Sequence, residues 1–127
     1  EPDLILDGAH NPNGAEALRK ALDKYYPGKQ VHFVFGMMGD KDMSGVIKIL
    51  IKSEDVVYAV RADQGDRAAE ADTLAKQIGA NAMSMADLRT AYHTAMEAAG
   101  SEGVVVVCGS LYLVGEFKKM LAAEQMS

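Results

Sequence analysis

The sequence predicts a three-layer α/β fold of the Rossmann-like kind, with a mostly parallel sheet of about five or six strands between layers of helices. Short apolar runs alternate along the chain with stretches whose apolar residues recur at helical spacing. The strand-like runs are apolar throughout rather than at every second residue, which is typical of strands buried on both faces. A length of 127 residues fits one domain, residues 1–127, with one core.

Five strands are predicted, each by an apolar run that ends in a polar or glycine-containing turn. The first three runs are rich in leucine, isoleucine, valine and aromatic residues. The fourth is short and only weakly apolar, so we expect a short edge strand there. The fifth consists of four valines and Cys108, and it predicts a central strand buried on both faces. The predicted strands cover residues 4–6, 31–35, 56–60, 82–85 and 104–108.

Five helices are predicted between and after these strands, each by apolar residues three or four positions apart. The first begins after Asn11, a good N-cap, at Pro12, where no N–H group is needed. Pro27 and Gly28 end this helix, and glycines end the third and fourth helices. The predicted helices cover residues 12–25, 43–50, 68–78, 88–95 and 113–121.

Composition excludes several classes of protein. The net charge of −5 disfavours wholesale binding to nucleic acid or to an anionic membrane. No apolar run approaches the roughly 18 residues that a membrane span needs. Cys108 is the single cysteine, which excludes an internal disulfide and fits a reducing compartment, so we predict a cytoplasmic protein. The chain opens at Glu1 without an initiator methionine, and we interpret it as a domain of a longer polypeptide.

Polar residues and glycines collect after the predicted strands. Because the carboxyl ends of parallel strands share one edge of a sheet, we expect these residues to lie along one rim. Helix N-termini with free N–H groups point at the same rim, so the pattern predicts a site for an anionic ligand. The residues are Asp7, Gly8, His10 and Asn11 after the first strand, Gly36, Gly39, Asp40, Lys41 and Asp42 after the second, Arg61, Asp63 and Arg67 after the third, and Gly109, Ser110 and Tyr112 after the fifth.

Each candidate also has a purely structural interpretation. Asp7 and Asn11 are compatible with a turn and a helix cap, and residues 40–42 with a solvated loop. Ser110 either completes a tight turn or caps a helix while facing the cleft. His32 lies within a strand and is predicted to pack there, whereas His93 lies in mid-helix and is predicted to be solvated. Cys108 ends an apolar run without a neighbouring base and is predicted to be core.

Several complete catalytic motifs are absent from the sequence. It contains neither the GxxxxGK[ST] pattern of a P-loop nor the GxGxxG pattern of a dinucleotide site. It also lacks CxxC and HExxH metal signatures and a GxSxG nucleophile elbow. We therefore predict half of a composite site, with no metal ligand in this chain.

Three segments together resemble one family. They are Leu6-Asp7-Gly8-Ala9-His10-Asn11-Pro12, Gly36-Met37-Met38-Gly39-Asp40-Lys41-Asp42 and Gly109-Ser110-Leu111-Tyr112-Leu113-Val114-Gly115. In this order and spacing they resemble the C-terminal domain of the folylpolyglutamate synthase family, which is often bifunctional with dihydrofolate synthase and belongs to the Mur-type ligases. The resemblance spans residues 2–121.

The resemblance implies an ATP-dependent, ADP-forming ligase. In that family ATP converts a folate-side carboxylate into an acyl phosphate, and the amine of L-glutamate attacks it to form an amide or γ-glutamyl bond. Mg²⁺ neutralises charge on the transferred group. The family's P-loop and metal ligands lie in a preceding ATPase domain of the same polypeptide. The resemblance therefore implies that this chain binds the outer face of ATP and the glutamate, and is inactive alone.

The resemblance also implies roles for individual residues. Asp7 matches the aspartate that accepts hydrogen bonds from the ATP ribose, and Asn11 belongs to the same nucleotide-binding turn. His10 matches a histidine near the terminal phosphate and the glutamate. Lys41 matches a lysine that faces the carboxylate of the incoming amino acid. The resemblance thus implies catalytic roles for His10 and Lys41. Ser110, with Tyr112 beside it, matches a junction that holds glutamate.

The chain departs from the family pattern after the third strand. The family often has a Pro-Arg-Ala segment there, and this sequence reads Asp66-Arg67-Ala68. The substitution of the proline leaves no role assigned to Arg67.

Two other classes of function are compatible with an α/β fold. One is a non-enzymatic regulatory or binding domain of flavodoxin type. A receiver domain of that type needs clustered acidic residues and a lysine after the fifth strand, whereas Gly109-Ser110-Leu111-Tyr112 follows it here. The other is a free-standing nucleotide-binding domain, which the missing phosphate-binding motifs disfavour.

Overall fold

A computed structural model describes residues 1–39 and 41–126, and it confirms the three-layer α/β fold. The strands are β1 (Asp3–Asp7), β2 (Val31–Phe35), β3 (Val56–Ala59), β4 (Ala82–Ser84) and β5 (Val104–Cys108). The helices are α1 (Pro12–Tyr25), α2 (Met43–Leu50), α3 (Ala71–Ile78), α4 (Leu88–Ala99) and α5 (Leu111–Met126). Within the described residues, no helix combines the length and the apolar composition that crossing a bilayer requires.

The five strands form one sheet in the order β1-β5-β2-β3-β4, and each described pair is parallel. β5 lies between β1 and β2, so that Val106 pairs with Ile5 on one side and Phe33 on the other. The three-residue strand β4 lies at an edge, which confirms the predicted short edge strand. All carboxyl ends therefore meet at one rim of the sheet.

Both faces of the sheet are covered, as the uninterrupted apolar strands predict. α1, α2 and α3 pack on one face around Phe33, Phe35 and Val106. α4 and α5 pack on the other face around Val34 and Val107. All five residues of β5 are buried, because successive side chains of this strand enter the two opposite cores.

The third helix begins later than its periodicity predicts. α3 starts at Ala71, and Ala68 lies instead in a loop that forms an antiparallel bridge with Met38. The amide of Ala69 also donates to the carbonyl of Met37 over 2.9 Å. Because these backbone groups bond to the turn after β2, they are not available for helical hydrogen bonds. The helix prediction for residues 68–70 is therefore wrong.

Capping chemistry fixes most of the other helix ends. The Asn11 side chain accepts from the Gly14 amide over 2.8 Å, which confirms the predicted N-cap of α1. Gly79 and Gly100 follow α3 and α4 with φ of 114° and 73°, a region that favours glycine. α5 begins at Leu111, two residues before its apolar periodicity starts, because Ser110 caps it.

Candidate functional site

The candidate site lies where helices leave the sheet on opposite faces. The chain passes from β1 and β2 to α1 and α2 on one face, and from β5, which lies between those strands, to α5 on the other face. Connections that diverge in this way open a crevice at the carboxyl ends of the strands, the usual ligand position in open α/β sheets.

A cavity of about 100 Å³ occupies this crevice. Four of the residues predicted from sequence line it together, although they come from three separate turns. Two further lining residues, Met38 and Leu111, were not among the predicted site residues. The lining residues are His10, Met38, Lys41, Ser110, Leu111 and Tyr112. Of the predicted residues, Asp40 lies outside the described part of the chain.

Two glycines let the turn after β2 approach the turns after β5 and β3. Gly109 has φ of 106°, and a Cβ atom there would lie 2.3 Å from the carbonyl oxygen of Gly36. A Cβ atom at Gly36 would in turn lie 2.8 Å from the carbonyl oxygen of Val60. A side chain at Gly109 would therefore separate the ends of β5 and β2, which border the cavity, and a side chain at Gly36 would separate the ends of β2 and β3.

His10 is oriented by its own turn. Its Nδ1 lies 2.8 Å from the carbonyl oxygen of Gly8. A carbonyl oxygen only accepts hydrogen bonds, so Nδ1 carries the proton that is donated. In the neutral ring Nε2 is then the unprotonated nitrogen. The turn after β1 thus supplies a hydrogen-bond and proton acceptor beside the cavity.

Ser110 is both a helix cap and part of the cavity wall. It is only 2% exposed, and its Oγ accepts from the Tyr112 amide over 3.0 Å. The hydroxyl keeps its own O–H group as a donor, since capping uses only the oxygen. The two interpretations offered by the sequence therefore combine, because Ser110 caps α5 and lines the cavity.

Lys41 supplies positive charge to the cavity. Its side chain is exposed, and its Nζ forms no ion pair within residues 1–39 and 41–126. The adjacent Asp42 is engaged elsewhere, because it caps α2 by accepting from the Gly45 amide over 2.9 Å. An ammonium group beside the N-terminus of α5 favours an anionic ligand.

Asp7 and Asn11 lie on the same turn as His10 but do not line the cavity. Asp7 Oδ1 accepts from the Ala9 amide over 2.8 Å, and Oδ2 has no hydrogen bond to the described residues. Asn11 Oδ1 is used by the α1 cap, which leaves its amide N–H groups as donors. Their nucleotide-binding roles stay predictions.

The rim is not one continuous site. Arg61 and Asp63, which the sequence grouped with the other rim residues, line a different and larger cavity of about 570 Å³ with Leu88, Arg89 and Leu113. That cavity lies at the ends of β3 and β4, on the α4–α5 side of the sheet. Periodicity alone cannot separate the two cavities, because every strand ends at the same rim.

Residues predicted to be structural have that character. His32 is buried, and its Nδ1 lies 3.1 Å from the Tyr58 hydroxyl. His93 is exposed on α4 and lies 3.1 Å from Glu124. Burial raises the pKa of the Cys108 thiol, and the Asp7 carboxylate beside it acts in the same direction. A thiol in that state is a poor nucleophile and metal ligand.

The described residues do not form a metal site of their own. In residues 1–39 and 41–126, no three histidine, cysteine, aspartate or glutamate side chains are grouped closely enough to hold an ion.

Comparison with known proteins relates this chain to one family. The Mur ligase, glutamate ligase domain, matches residues 1–111. The dihydrofolate synthase/folylpolyglutamate synthase of Escherichia coli (strain K12) is 33% identical over 124 residues, which cover 98% of this chain and 29% of that protein. A structure of E. coli FolC in complex with DHPP and ADP superposes with a TM-score of 0.89 at 33% identity, covering 96% of this chain and 29% of that one.

A second structure extends the comparison to another ligand. A bifunctional folylpolyglutamate synthase/dihydrofolate synthase with Mn, AMPPNP and L-glutamate bound superposes with a TM-score of 0.86 at 38% identity. The match covers 95% of this chain and 29% of that structure. This chain thus spans less than a third of the length of the relatives it matches.

Proposed function

This chain belongs to the Mur ligase family as a glutamate ligase domain, and we propose that it forms the glutamate-binding half of an ATP-dependent ligase acting on folates. The single observation that supports this most is the cavity that His10, Lys41, Ser110 and Tyr112 share at the rim of the sheet. The relative that binds L-glutamate and AMPPNP gives the proposal its substrate and its nucleotide.

The proposed reaction joins L-glutamate to dihydropteroate or to a (poly)glutamyl tetrahydrofolate. An acyl phosphate formed from ATP on the folate-side carboxyl group is the electrophile. The glutamate nitrogen forms the new amide bond to that carbonyl carbon, the carbon–oxygen bond to phosphate breaks, and the nitrogen loses a proton. The products are the amide, ADP and phosphate. In our proposal this domain binds and orients the glutamate, and a preceding ATPase domain completes the site.

Lys41 and Ser110 are the proposed anchors of the glutamate carboxylates. An ammonium group without an ion-pair partner among the described residues gains a charge-assisted hydrogen bond when a carboxylate enters. The Ser110 hydroxyl adds a neutral donor to the lining of the same cavity, which Tyr112 also lines. Two fixed contacts hold the amine in place, which converts a two-body encounter into a near-attack geometry.

His10 is the proposed proton acceptor for the glutamate amine. The hydrogen bond to the Gly8 carbonyl leaves the lone pair on Nε2, and a neutral imidazole is a suitable base near neutral pH. Closure of the partner domain over the cavity would exclude water, which otherwise hydrolyses an acyl phosphate.

The turn after β1 also fits the ribose side of ATP. Asp7 Oδ2 is an acceptor for a ribose hydroxyl, and the Asn11 amide N–H groups are donors for a phosphate oxygen. When Mg²⁺ is bound, it supplies charge neutralisation on the phosphates. We place its ligands in the preceding domain, since the described residues here offer no cluster of ligands.

Lys41→Met in the full-length ligase tests the proposal. We expect the glutamate KM to rise about tenfold to a hundredfold, the loss that one charge-assisted hydrogen bond implies. The KM for ATP and the melting temperature should change little, because Lys41 forms no ion pair with the described residues. Steady-state assays of ADP release, with each substrate varied in turn, measure these constants.

Lys48→Met is the matched control, because Lys48 is an exposed lysine on the neighbouring helix α2. It should leave the glutamate KM unchanged. The 127-residue chain alone should release no ADP in the presence of glutamate and ATP. An unchanged glutamate KM in Lys41→Met, or rapid ADP release by the chain alone, contradicts the divided site.

A further inference from the structure

Leu111 is an exposed apolar residue at the start of α5. It is 67% exposed, so little of its surface contributes to either core. Its side chain nevertheless lies against the turn after β1, since a Cβ atom built on Gly8 would be 2.3 Å from Leu111 Cδ2 and 3.1 Å from Cγ. Leu111 therefore bridges the two turns that carry His10 and Ser110.

The contact makes the position of the Leu111 side chain sensitive to the residue at position 8. Gly8 is not among the residues with positive φ, so its backbone conformation does not require glycine. A larger residue there would meet the Leu111 side chain, whose flexible end would have to move away. Residues 8 and 111 thus form a packing contact between two turns that lie more than a hundred residues apart.

The same glycine holds His10. The Gly8 carbonyl accepts from His10 Nδ1 over 2.8 Å, and this bond determines which ring nitrogen keeps its lone pair. The backbone of Leu111 is itself held, because the Ser110 cap fixes the first turn of α5. A series of contacts therefore leads from the Ser110 cap through the Leu111 side chain and the Gly8 peptide to the His10 ring.

We propose that Leu111 is a positioning residue, which packs on Gly8 and so holds His10 with Nε2 as the acceptor at the cavity. The packing of Leu111 and its effect on the His10 tautomer, which form the structural part of the proposal, concern only this chain. Its kinetic consequence rests on the proposed function, in which His10 Nε2 accepts a proton from the glutamate amine.

The ¹⁵N chemical shifts of the His10 ring in the 127-residue chain test the structural part directly. In the wild type we expect a protonated Nδ1 and an unprotonated Nε2 at a pH where the ring is neutral. Leu111→Ala should allow both tautomers, with a lower Nδ1–H fraction. Leu111→Met, which can fill the same space, should restore the wild-type pattern. Met126→Ala, at the exposed far end of α5, is the control and should change nothing.

Gly8→Ala supplies a second and independent variant. Its methyl group should displace Leu111 and disturb the His10 tautomer in the wild-type background. In the Leu111→Ala background the same substitution should have little effect, because the displaced side chain is gone. The proposal is overturned if Leu111→Ala leaves the tautomer unchanged, or if Gly8→Ala has the same effect in both backgrounds.

Kinetics in the full-length ligase distinguish this inference from the proposed function. We expect Leu111→Ala to lower kcat between about twofold and tenfold, the lower part of the range of coupling between contacting residues. The glutamate KM should change less, since Lys41 and Ser110 stay in place. If the ¹⁵N shifts behave as expected but the wild-type ligase does not use glutamate, the packing role of Leu111 is supported and the proposed function fails. If glutamate is used and Leu111→Ala has wild-type kcat, the positioning role fails.

Discussion

The two rims of the sheet use polar residues in opposite ways. At the amino-terminal rim, Asp55 is only 1% exposed and its carboxylate is saturated. Asp55 Oδ2 accepts from Arg19 over 2.9 Å and from the Lys52 amide over 3.0 Å. Asp55 Oδ1 accepts from the Val31 amide over 3.0 Å. These bonds join α1, the start of β2 and the loop before β3.

At the carboxyl-terminal rim, the polar groups keep hydrogen-bonding capacity. His10 Nε2 and the Ser110 hydroxyl proton have no bond to the described residues, and the same holds for the Lys41 ammonium group. Hydrogen bonds within the chain hold His10 Nδ1 and Ser110 Oγ, and so they orient both side chains. They leave His10 Nε2 and the Ser110 hydroxyl proton able to bond to a ligand.

The difference distinguishes polar groups that stabilise the fold from polar groups that are left able to bind a ligand. A buried ion pair stabilises a fold only when its geometry is good and its remaining donors and acceptors are satisfied, as they are around Asp55. Groups that the chain orients but leaves unsatisfied contribute less to folding, and they are free to bond to a ligand. The stability of the two rims should therefore respond very differently to mutation.

Asp55→Ala should have the largest effect on stability. It removes the buried acidic partner of the Arg19 guanidinium, which keeps the more exposed Asp23, and it removes the acceptor of the Val31 amide. Breaking a buried pair in this way costs about 3–5 kcal/mol, a large share of the roughly 5–15 kcal/mol that stabilises a typical domain. Urea unfolding of the 127-residue chain, followed by circular dichroism, measures the loss.

Asp23→Ala is the matched control. Asp23 also bonds to Arg19, over 3.0 Å, but from the exposed side of α1. Its removal should leave the urea midpoint near that of the wild type, since exposed pairs contribute little. If Asp55→Ala were as stable as Asp23→Ala, the amino-terminal rim would not be the structural one.

Local patterns predicted most of the fold, whereas pairings between distant residues could not be predicted. The run of four valines and Cys108 that forms β5 predicted a strand buried on both faces. This pattern is local, so it can be recognised without knowing any contact between distant residues. The bond between Arg19 and Asp55 joins positions 36 residues apart, and no local pattern indicates it. Ala68 was misassigned for the same reason, since its bridge to Met38 depends on the tertiary fold.

The grouping of the candidate site residues could also be predicted, for a reason that lies in the geometry of a parallel sheet. Parallel strands bring every turn that follows them to one rim, so His10, Lys41 and Ser110 could be grouped before the strand order was known. The strand order then decides which turns are neighbours. It brings the turns after β1, β5 and β2 together and leaves Arg61, after β3, at another cavity.

Ser110 both caps α5 and lines the cavity, and two substitutions separate the structural role from the proposed binding role. Ser110→Ala should cost about 1 kcal/mol of stability because the cap of α5 is lost, whereas Ser110→Gly should cost only a few tenths of a kcal/mol. Both remove the hydroxyl donor, so both should raise the glutamate KM of the full-length ligase by a similar factor. Melting temperatures and glutamate KM values of the two variants measure this. A KM that followed stability instead would make Ser110 a cap only.

His32, which lies near the amino-terminal rim, gives the smallest expected effect. This effect is a dependence of the free energy of unfolding on pH. Burial lowers the pKa of His32 below its ordinary value of 6.5, and the nearby Asp55 carboxylate acts in the opposite direction. The unfolded chain therefore takes up a proton near pH 6.5 that the folded chain does not. The free energy of unfolding should be at its full value above pH 6.5 and should decrease as the pH falls below it.

Urea unfolding between pH 7.5 and 5.5 measures this slope. His32→Gln should have a shallower slope than the wild type, because it lacks the titrating group. Tyr58→Phe removes the hydroxyl that lies 3.1 Å from His32 Nδ1 but keeps the ring that buries the imidazole. It should retain most of the slope, since burial is the largest cause of the lowered pKa. A slope that disappeared in Tyr58→Phe would show that the hydrogen bond, rather than burial, keeps His32 neutral.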